Sequence, residues 1–458
     1  MSKGLITTAN ELVTFDNSQG QEVRGMILKL SHNVIVFEVY NPYSIVQLSE
    51  VLAGVKIVRA NREIYQGSAV VTNIVNTGMV LIVSATLYDF SWKKDFDFRS
   101  KNDLDNEIDF LIKSYEREID VDVDFKVCVL SIRSFLKKVK NWFDKLEASV
   151  ESSGLVINEK FFLDNFKGLV EKISDLRKDF SDIVKRIDSD KMDVHRSFVQ
   201  NQLHFFVLSS PFPHRTYAKP LGFAGDYMMM HMIQRDNAEG PSMFAKFINV
   251  FYTNIPMALS VKNRTDRLVE LIEDGIKKCE IEGREFHALS IGCGPALEIK
   301  RFAEKNNPKV KCNFKLLDFN KETLDFAVNE ALKVLNEKNI EVTTKLDSVH
   351  SLLKKSVNNV LESQRYDLVY CSGLFDYLSD KVCAKLTKMF FGMAKQDGKV
   401  FVTNMHSNNH DSKMMELIFE WYLIYRSESD VTKFFPGDKN KKIYTDSTGV
   451  NLCLELSK

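Results

Sequence analysis

Two glycines follow a short apolar run in the stretch HALSIGCGPALEI, residues 287–299. Gly292 and Gly294 flank Cys293 at the point where the run, predicted as a buried strand, gives way to an amphipathic helix. Glycine adopts positive φ and lets a ligand approach the backbone closely, so this turn is a candidate binding loop. A tight turn with a purely structural role is the alternative.

The turn departs from the fingerprint of a dinucleotide site. That fingerprint, GxGxxG, has a third glycine and binds a pyrophosphate at the helix N terminus. Here Leu297 stands at the third glycine position, and Pro295 removes one N–H from the first helical turn. Both features favour a ligand that has no pyrophosphate.

An acidic residue follows the next predicted strand, at the same edge of the sheet as the glycine turn. The strand ends in KLLDF, with Asp318 and Phe319 as its last residues. An acid at the end of the second strand can accept hydrogen bonds from two ribose hydroxyls. The structural alternative makes Asp318 the N-cap of the helix that follows.

Residues after the third and fourth predicted strands complete the set. Asp347 and Ser348, in KLDS, lie where an adenine amine could be bound. Ser372 and Gly373 begin the loop YCSGLFDYL, whose small and aromatic residues could cover a ligand. A nucleoside without pyrophosphate fits these residues best. S-adenosyl-L-methionine is such a nucleoside, and acidic and aromatic groups stabilise its sulfonium cation.

The elements that position these residues alternate between strands and helices from residue 206 to residue 458. This alternation predicts an α/β Rossmann-like domain that binds its ligand at the carboxyl ends of parallel strands. Residues 1–95 contain short strands rich in Val and Ile, which predict a small antiparallel β-barrel domain. Residues 96–205 repeat apolar residues at helical spacing and predict a helical bundle, interpreted as a spacer or as the contact of a homodimer.

Composition excludes several classes of protein. Lys and Arg number 62, and Asp and Glu also number 62, so bulk charge does not hold this chain to nucleic acid. We see no signal peptide and no apolar run of about 18 residues, so we expect a cytoplasmic protein without a membrane span. None of the 7 cysteines has CxxC spacing, which favours reduced thiols over disulfides or a metal site.

Residues 287–405 resemble a class I S-adenosylmethionine-dependent methyltransferase, and the closing strands KKIYTD and GVNLCLELS suit the antiparallel last strand of that fold. Three stretches are similar to a narrower bacterial family, the methyltransferases of extracellular-factor synthesis: HRTYAKPLGFAGDYMMMHMI, GLFDYLSDKVCAKL and NMHSNNHDSKMMELIFEWYLIYRS. That family makes 3-hydroxypalmitic acid methyl ester. The resemblance, from about residue 100 onwards, implies methylation of the carboxylate of a lipid-like acid, such as a 3-hydroxy fatty acid.

The resemblance also falls on candidate catalytic and substrate-binding residues. Tyr227, in KPLGFAGDYMMM, could face the methyl group or orient the acceptor, and His406, in NMHSNNH, could act as a general base or a hydrogen-bond donor. Arg215 could bind a carboxylate with both arms of its guanidinium. The other expected substrate-binding residues are Asp226, Asn404, Tyr422 and Arg426.

Each of these residues has a structural alternative. Asp226 could be a helix N-cap, Tyr227 a core residue and Arg215 a solvated surface group. Tyr422 and Arg426 belong to SKMMELIFEWYLIYRS, which has the spacing of one amphipathic core helix.

Methyl transfer from a sulfonium is an in-line displacement, so alignment of nucleophile, methyl group and sulfur is the protein's main task. A carboxylate acceptor is already anionic at neutral pH and needs no base. A hydroxyl or amine acceptor does need one, and His406 is then the best candidate.

The N-terminal strands resemble a PilZ-like barrel, a fold used to bind cyclic di-GMP. Its ligand motif aligns best with KLSHNV, where Ser31 is kept but Lys29 and Val34 replace an acid or amide and a glycine. The paired arginines before the motif are absent, and only Arg24 is near. We therefore expect a barrel that binds a regulatory ligand or a protein other than through cyclic di-GMP.

Two other functions stay open at this stage. The chain could be a regulatory protein that binds S-adenosylmethionine or a nucleotide without turnover. It could also methylate a protein that the barrel delivers.

Overall fold

The computed structural model describes residues 11–17, 22–31, 33–39, 46–59, 62–76, 81–88, 92, 120–151, 156–335, 338–354, 365–436 and 440–458. These residues form two compact units. The first unit comprises the chain up to residue 224 with residues 237–251 and 410–422, and the second comprises residues 225–236, 252–409 and 423–458. The predicted domain boundaries near residues 95 and 205 stay predictions. The helix predicted in NDLDNEIDFLIKSYEREI lies outside the described residues.

The first unit contains a closed antiparallel barrel with the strand order β1-β2-β3-β6-β5-β4. Its strands are β1 (Glu11–Asp16), β2 (Glu22–Leu30), β3 (Val34–Val39), β4 (Val51–Arg59), β5 (Arg62–Asn76) and β6 (Leu81–Tyr88). Alternation of side chains builds the core, as in β3, where Ile35, Phe37 and Val39 are buried and the residues between them are partly exposed. The predicted barrel is confirmed. The sequence reasoning missed β1 and began β5 too late.

The barrel residues that align with the cyclic di-GMP motif make local contacts. The Ser31 hydroxyl donates to the Val34 carbonyl and accepts from the Val34 amide, both at 3.1 Å. Arg24 is exposed and pairs with Glu22 at 3.2 Å. The resemblance to a PilZ domain stays a prediction.

The α-helices are, in chain order, α1 (Val123–Glu151), α2 (Glu159–Asn165), α3 (Lys167–Val184), α4 (Met192–Val207), α5 (Pro211–Ala218), α6 (Tyr227–Ile233), α7 (Met243–Thr253), α8 (Pro256–Glu282), α9 (Leu297–Lys305), α10 (Lys321–Leu335), α11 (Val349–Lys354), α12 (Asp380–Met393), α13 (Ser412–Phe419) and α14 (Glu428–Thr432). Helices α1 to α5 and α13 lie in the first unit. In α1, Phe125, Val129, Leu136 and Phe143 are buried. Their helical spacing places them on one apolar face, so the predicted helical region is confirmed.

The prediction that SKMMELIFEWYLIYRS forms one helix is wrong. Helix α13 ends at Phe419 because Glu420 adopts a left-handed conformation with φ of 50°. Such a conformation costs roughly 1–2 kcal/mol for a residue other than glycine. Buried contacts offset this cost, since Gln200 donates to the Glu420 carboxylate at 3.0 Å and Lys219 donates to the Phe419 carbonyl at 2.9 Å. The segment that contains Tyr422 and Arg426 is therefore not helical.

The second unit contains a mixed sheet with the strand order β12-β13-β11-β10-β7-β8-β9. Its strands are β7 (Phe286–Ile291), β8 (Cys312–Asp318), β9 (Ile340–Leu346), β10 (Tyr366–Cys371), β11 (Ala394–Met405), β12 (Lys441–Thr445) and β13 (Asn451–Ser457). Strands β7 to β11 are parallel, and β13 runs antiparallel to β11. The predicted fold class, a Rossmann-like methyltransferase sheet preceded by a barrel and a helical region, is confirmed.

Two features of this sheet position a ligand site. All six residues of β10 are buried, as expected of a strand that helices cover on both faces. After β9, the chain returns to the other side of β7 to form β10. The carboxyl ends of β7 and β10 therefore flank the switch point at which open α/β sheets bind ligands.

All seven cysteines are buried and free. Across the described ranges, no helix is long and apolar enough to cross a membrane. Within those same ranges, no group of three or more His, Cys, Asp and Glu side chains could hold a metal ion.

Gly275 sets how closely α8 packs on β7, which gives a test of the fold. A Cβ at Gly275 would lie 2.6 Å from Cε2 of the fully buried Phe286. Alanine gains about 1 kcal/mol of helix propensity, but overpacking of a core ring costs about 1–3 kcal/mol. We expect Gly275→Ala to lower the free energy of unfolding by about 1 kcal/mol in denaturant titration.

The matched control is Gly168→Ala in α3, because a Cβ there meets nothing within 4 Å. It is expected to leave stability unchanged or raise it by a few tenths of a kcal/mol. A stabilising Gly275→Ala would show that α8 and β7 are further apart than described.

Candidate functional site

The glycine turn directly follows β7 at the switch point. Gly292 has φ of 63° and Gly294 has φ of 54°, so both adopt the conformation that favours glycine. The Gly292 amide donates to the Leu317 carbonyl at 2.8 Å, which ties the turn to β8. A Cβ on Gly292 would meet Leu374 at 3.3 Å, whereas one on Gly294 would meet nothing within 4 Å. The backbone of Gly294 therefore borders open space that a ligand can approach.

Cys293 and Pro295 shape this turn from the protein side. Both are buried, and the Cys293 thiol lies 3.5 Å from the Gly294 carbonyl. Burial raises the pKa of the Cys293 thiol well above its ordinary value, so the thiol is neutral at physiological pH. A neutral buried thiol serves as packing for the turn and not as a nucleophile.

Asp318 ends β8 beside the turn, and it is 7% exposed. Its carboxylate accepts the Asn320 amide at 3.0 Å and lies 3.4 Å from the Gly294 amide. Burial raises the pKa of Asp318 to about 6, although these amides act in the opposite direction. The residue is not the N-cap of α10, because Asn320 accepts the Thr323 amide at 2.9 Å and fills that role.

Asp347 and Ser348 follow β9 next to Asp318. The Asp347 amide donates to the Asp318 carbonyl at 3.0 Å, which brings the two strand ends together. The Asp347 carboxylate pairs with Lys345 at 3.1 Å and accepts the Ser348 amide at 3.0 Å. Phe319 is partly buried beside them. The ends of β7, β8 and β9 thus bring together the residues predicted to bind a nucleoside.

Ser372 and Gly373 follow β10 on the other side of the switch point. Gly373 has φ of 94°, and its amide donates to the Thr403 hydroxyl at 3.0 Å. The Ser372 hydroxyl oxygen is buried, and within the described part of the chain it has no hydrogen-bond partner. A Cβ on Gly373 would lie 2.8 Å from Nη1 of Arg264, so the guanidinium packs directly on this loop.

The sequence reasoning missed four buried polar residues around the switch point: Arg264, Glu298, Tyr370 and Asp376. The Tyr370 hydroxyl donates to Glu298 at 2.7 Å, and burial raises the pKa of Glu298. Asp376 accepts the Met405 amide at 2.6 Å, and burial raises its pKa to about 6. Glu298 and Asp376 were visible inside the motifs PALEI and GLFDYL, whereas Arg264 looked like any other cation on a helix.

Tyr227 and Asp226 begin α6. The Tyr227 hydroxyl donates to Glu322 of α10 at 2.6 Å, and its ring packs on Phe326. Asp226 is buried and accepts the Met229 amide at 2.9 Å, so it is an N-cap, as its structural alternative predicted. Tyr227 thereby connects α6 to the helix that follows Asp318.

His406 follows β11 and is 2% exposed. Its Nδ1 accepts the Asn408 amide at 2.8 Å, and its Nε2 lies 3.2 Å from the Glu428 carboxylate. Protein groups therefore occupy both ring nitrogens. This arrangement assigns the ring proton to Nε2 and leaves no lone pair for a substrate proton.

Asn404 and Arg426 form a buried network that holds the loop after β10. Arg426 donates to the Asn404 side chain at 2.6 Å, to the Phe375 carbonyl at 2.8 Å and to the Leu378 carbonyl at 2.6 Å. It also pairs with Asp380 at 2.7 Å. These partners use the whole guanidinium, so Arg426 positions the loop that contains Ser372 and Gly373.

Arg215 and Tyr422 lie in the first unit, whereas the glycine turn lies in the second. Arg215 is partly buried on α5. The Tyr422 backbone is fixed by Ser49, whose hydroxyl accepts its amide at 2.5 Å and donates to its carbonyl at 2.9 Å. Their predicted roles toward a substrate stay predictions.

Comparisons with known proteins give no family. No protein-family model matches the chain, and no curated protein matches it. Solved structures with similarity include a possible exported protein from Bordetella parapertussis, at 17% identity and a TM-score of 0.44, which covers 67% of this chain and 98% of the other.

Two of the similar solved structures are described as methyltransferases. The magnesium protoporphyrin IX methyltransferase of Synechocystis PCC 6803, solved with bound SAM, has 14% identity and a TM-score of 0.31 over 44% of this chain and 82% of its own. A SAM-dependent methyltransferase of Leishmania major has 15% identity and a TM-score of 0.31 over 57% of this chain and 91% of its own. These scores and identities are low, so the functional argument rests on the geometry of the site.

The raised pKa of Asp318 predicts how stability depends on pH. The folded chain keeps this proton up to a pH of about 6, whereas the ordinary value is 3.8, so the buried carboxylate destabilises the fold increasingly as pH rises between these values. We expect Asp318→Asn to raise the free energy of unfolding at pH 7.5 by up to about 3 kcal/mol and to change it little at pH 4. Denaturant titrations at both pH values measure this difference.

Asp347→Asn is the matched control, because that carboxylate has a lysine partner. It is expected to lower stability slightly at pH 7.5. Equal destabilisation by Asp318→Asn at both pH values would contradict a carboxylate held in a low dielectric.

Proposed function

We propose that the chain is an S-adenosylmethionine-dependent methyltransferase. The observation that carries the proposal is the convergence of Gly294 and Asp318, whose amide and carboxylate lie 3.4 Å apart at the switch point of a Rossmann-like sheet. A buried carboxylate gains from hydrogen-bond donors, and a ribose supplies two adjacent hydroxyls. The open space at Gly294 admits a ligand against the backbone.

The donor would occupy the three strand ends in a definite order. Its ribose would lie at Asp318, its adenine near Asp347 and Ser348, and its methionine part over the glycine turn toward the loop after β10. Ala296, at the N-cap of α9, offers no side-chain cap for the helix amides. The missing third glycine and Pro295 fit a donor without pyrophosphate.

The chemistry of the acceptor follows from His406. Because both nitrogens of its ring are engaged by the protein, this histidine is poorly suited to remove a proton. A carboxylate acceptor needs no proton removal, and the protein then has only to align it with the sulfonium methyl group. The resemblance to the extracellular-factor family supplies the chemical class of such an acceptor, a lipid-like acid such as a 3-hydroxy fatty acid.

Titration calorimetry and product detection test this proposal together. We expect the purified chain to bind S-adenosylmethionine, and Asp318→Asn to bind it at least about 10-fold more weakly, since it loses a charged acceptor. S-adenosylhomocysteine should form when 3-hydroxy fatty acids are added.

Three results separate the alternatives. Binding without turnover on any acid would favour a regulatory protein, and turnover only on a protein would favour a protein methyltransferase. An absence of donor binding at millimolar concentration would overturn the proposal.

The role of His406 gives a separate prediction. With a carboxylate acceptor, we expect kcat/KM to show no decline as pH falls through about 6.5, the ordinary pKa of histidine. His406→Asn keeps an oxygen that can accept the Asn408 amide, and we expect it to reduce kcat less than about 10-fold. A general base would instead give an acidic limb and a loss of roughly 100- to 10,000-fold.

A further inference from the structure

Arg264 is a buried cation on α8, the helix that packs against β7 and β10. It is 9% exposed. The hydrogen bond that its guanidinium makes within the described residues goes to the Met230 sulfur at 3.3 Å, a weak acceptor. No carboxylate oxygen of those residues lies within the 4.0 Å of an ion pair.

This environment is unfavourable for a guanidinium. Burial lowers the pKa of Arg264, and the charge of Asp376 only partly opposes this effect from beyond ion-pair distance. A buried charge without a hydrogen-bonded partner costs several kcal/mol. Contrast Arg267, one turn further along α8, which is more exposed and donates to Glu455 at 2.8 Å and to Glu270 at 2.7 Å. The fold therefore satisfies one arginine of this helix and leaves the other without an anion.

The guanidinium lies at the ligand edge of the sheet. It packs on Gly373, where a Cβ would lie 2.8 Å from Nη1 and 3.0 Å from Nη2, so this close approach requires glycine. The neighbouring residue, Ser372, has a buried hydroxyl that finds no hydrogen-bond partner among the described residues. Two unsatisfied donors thus occur together in the loop after β10, across the switch point from the glycine turn.

We propose that Arg264 and Ser372 form a carboxylate-binding subsite of the candidate active site. A guanidinium binds a carboxylate through two parallel hydrogen bonds, and a hydroxyl beside it donates a third. Glu298 and Asp376 keep their carboxyl groups engaged with Tyr370 and the Met405 amide, so they do not compete for the guanidinium.

The inference rests on the proposed function, which offers two sources for this carboxylate. One is the amino-acid end of the donor, and the other is an acid acceptor. Both present the same group to Arg264, so the experiment must separate them.

The test compares S-adenosylmethionine with its decarboxylated analogue, which keeps the sulfonium and the amine. Titration calorimetry of the full chain should show that the analogue binds about 10- to 100-fold more weakly than the donor if the subsite takes the donor's carboxylate. Arg264→Gln should then weaken the donor by the same factor and leave the analogue within about 3-fold, which removes the selectivity. Ser372→Ala should give a smaller loss of the same kind.

If the acceptor supplies the carboxylate, Arg264→Gln should leave both affinities unchanged and raise KM for a fatty-acid acceptor by about 10- to 100-fold, with kcat less affected. Arg267→Gln is the matched control, because it removes a cation of α8 that already has partners. It should change neither the selectivity nor KM.

Three outcomes overturn the inference. Equal weakening of donor and analogue by Arg264→Gln would show a structural role, and no change in either affinity or in KM would show no role. If the wild-type chain binds neither ligand, the proposed function fails and the subsite fails with it. Binding of both ligands without any dependence on Arg264 would overturn the subsite alone.

Discussion

A carboxylate held out of water at the end of β8 is the constraint on which the rest of the site depends. Asp318 is buried beside the amide of Gly294, and burial raises its pKa to about 6. The fold keeps this group although a neutral side chain there would be more stable in isolation. Retention of an unfavourable acid at the switch point is expected of a binding site, because a ligand's hydroxyls can satisfy it.

The same logic extends to the opposite side of the crevice. Arg264 and the Ser372 hydroxyl are buried without good partners in the described structure, whereas Arg426 beneath the same loop is fully hydrogen-bonded. The loop after β10 is thus rigidly held from one side and unsatisfied on the other. Opposite charges on the two sides, Asp318 and Arg264, suit a ligand with hydroxyls at one end and an anion at the other.

Much of this arrangement could be predicted from sequence because strand ends in a parallel sheet meet at one edge. The spacing of glycines and acids after apolar runs was sufficient to place Gly294, Asp318 and Asp347 together. Arg264 could not be found this way, since its burial depends on how α8 packs and not on a local pattern. The end of α13 at Glu420 was also missed, because tertiary hydrogen bonds from Lys219 and Gln200 override the helical periodicity.

A crystal structure of the chain with S-adenosylhomocysteine tests the central claim most directly. Both ribose hydroxyls should lie within about 3 Å of the Asp318 carboxylate oxygens, with the thioether over the Gly294 backbone. A ribose bound elsewhere, with Asp318 still buried against its own amides, would contradict the assignment of this carboxylate.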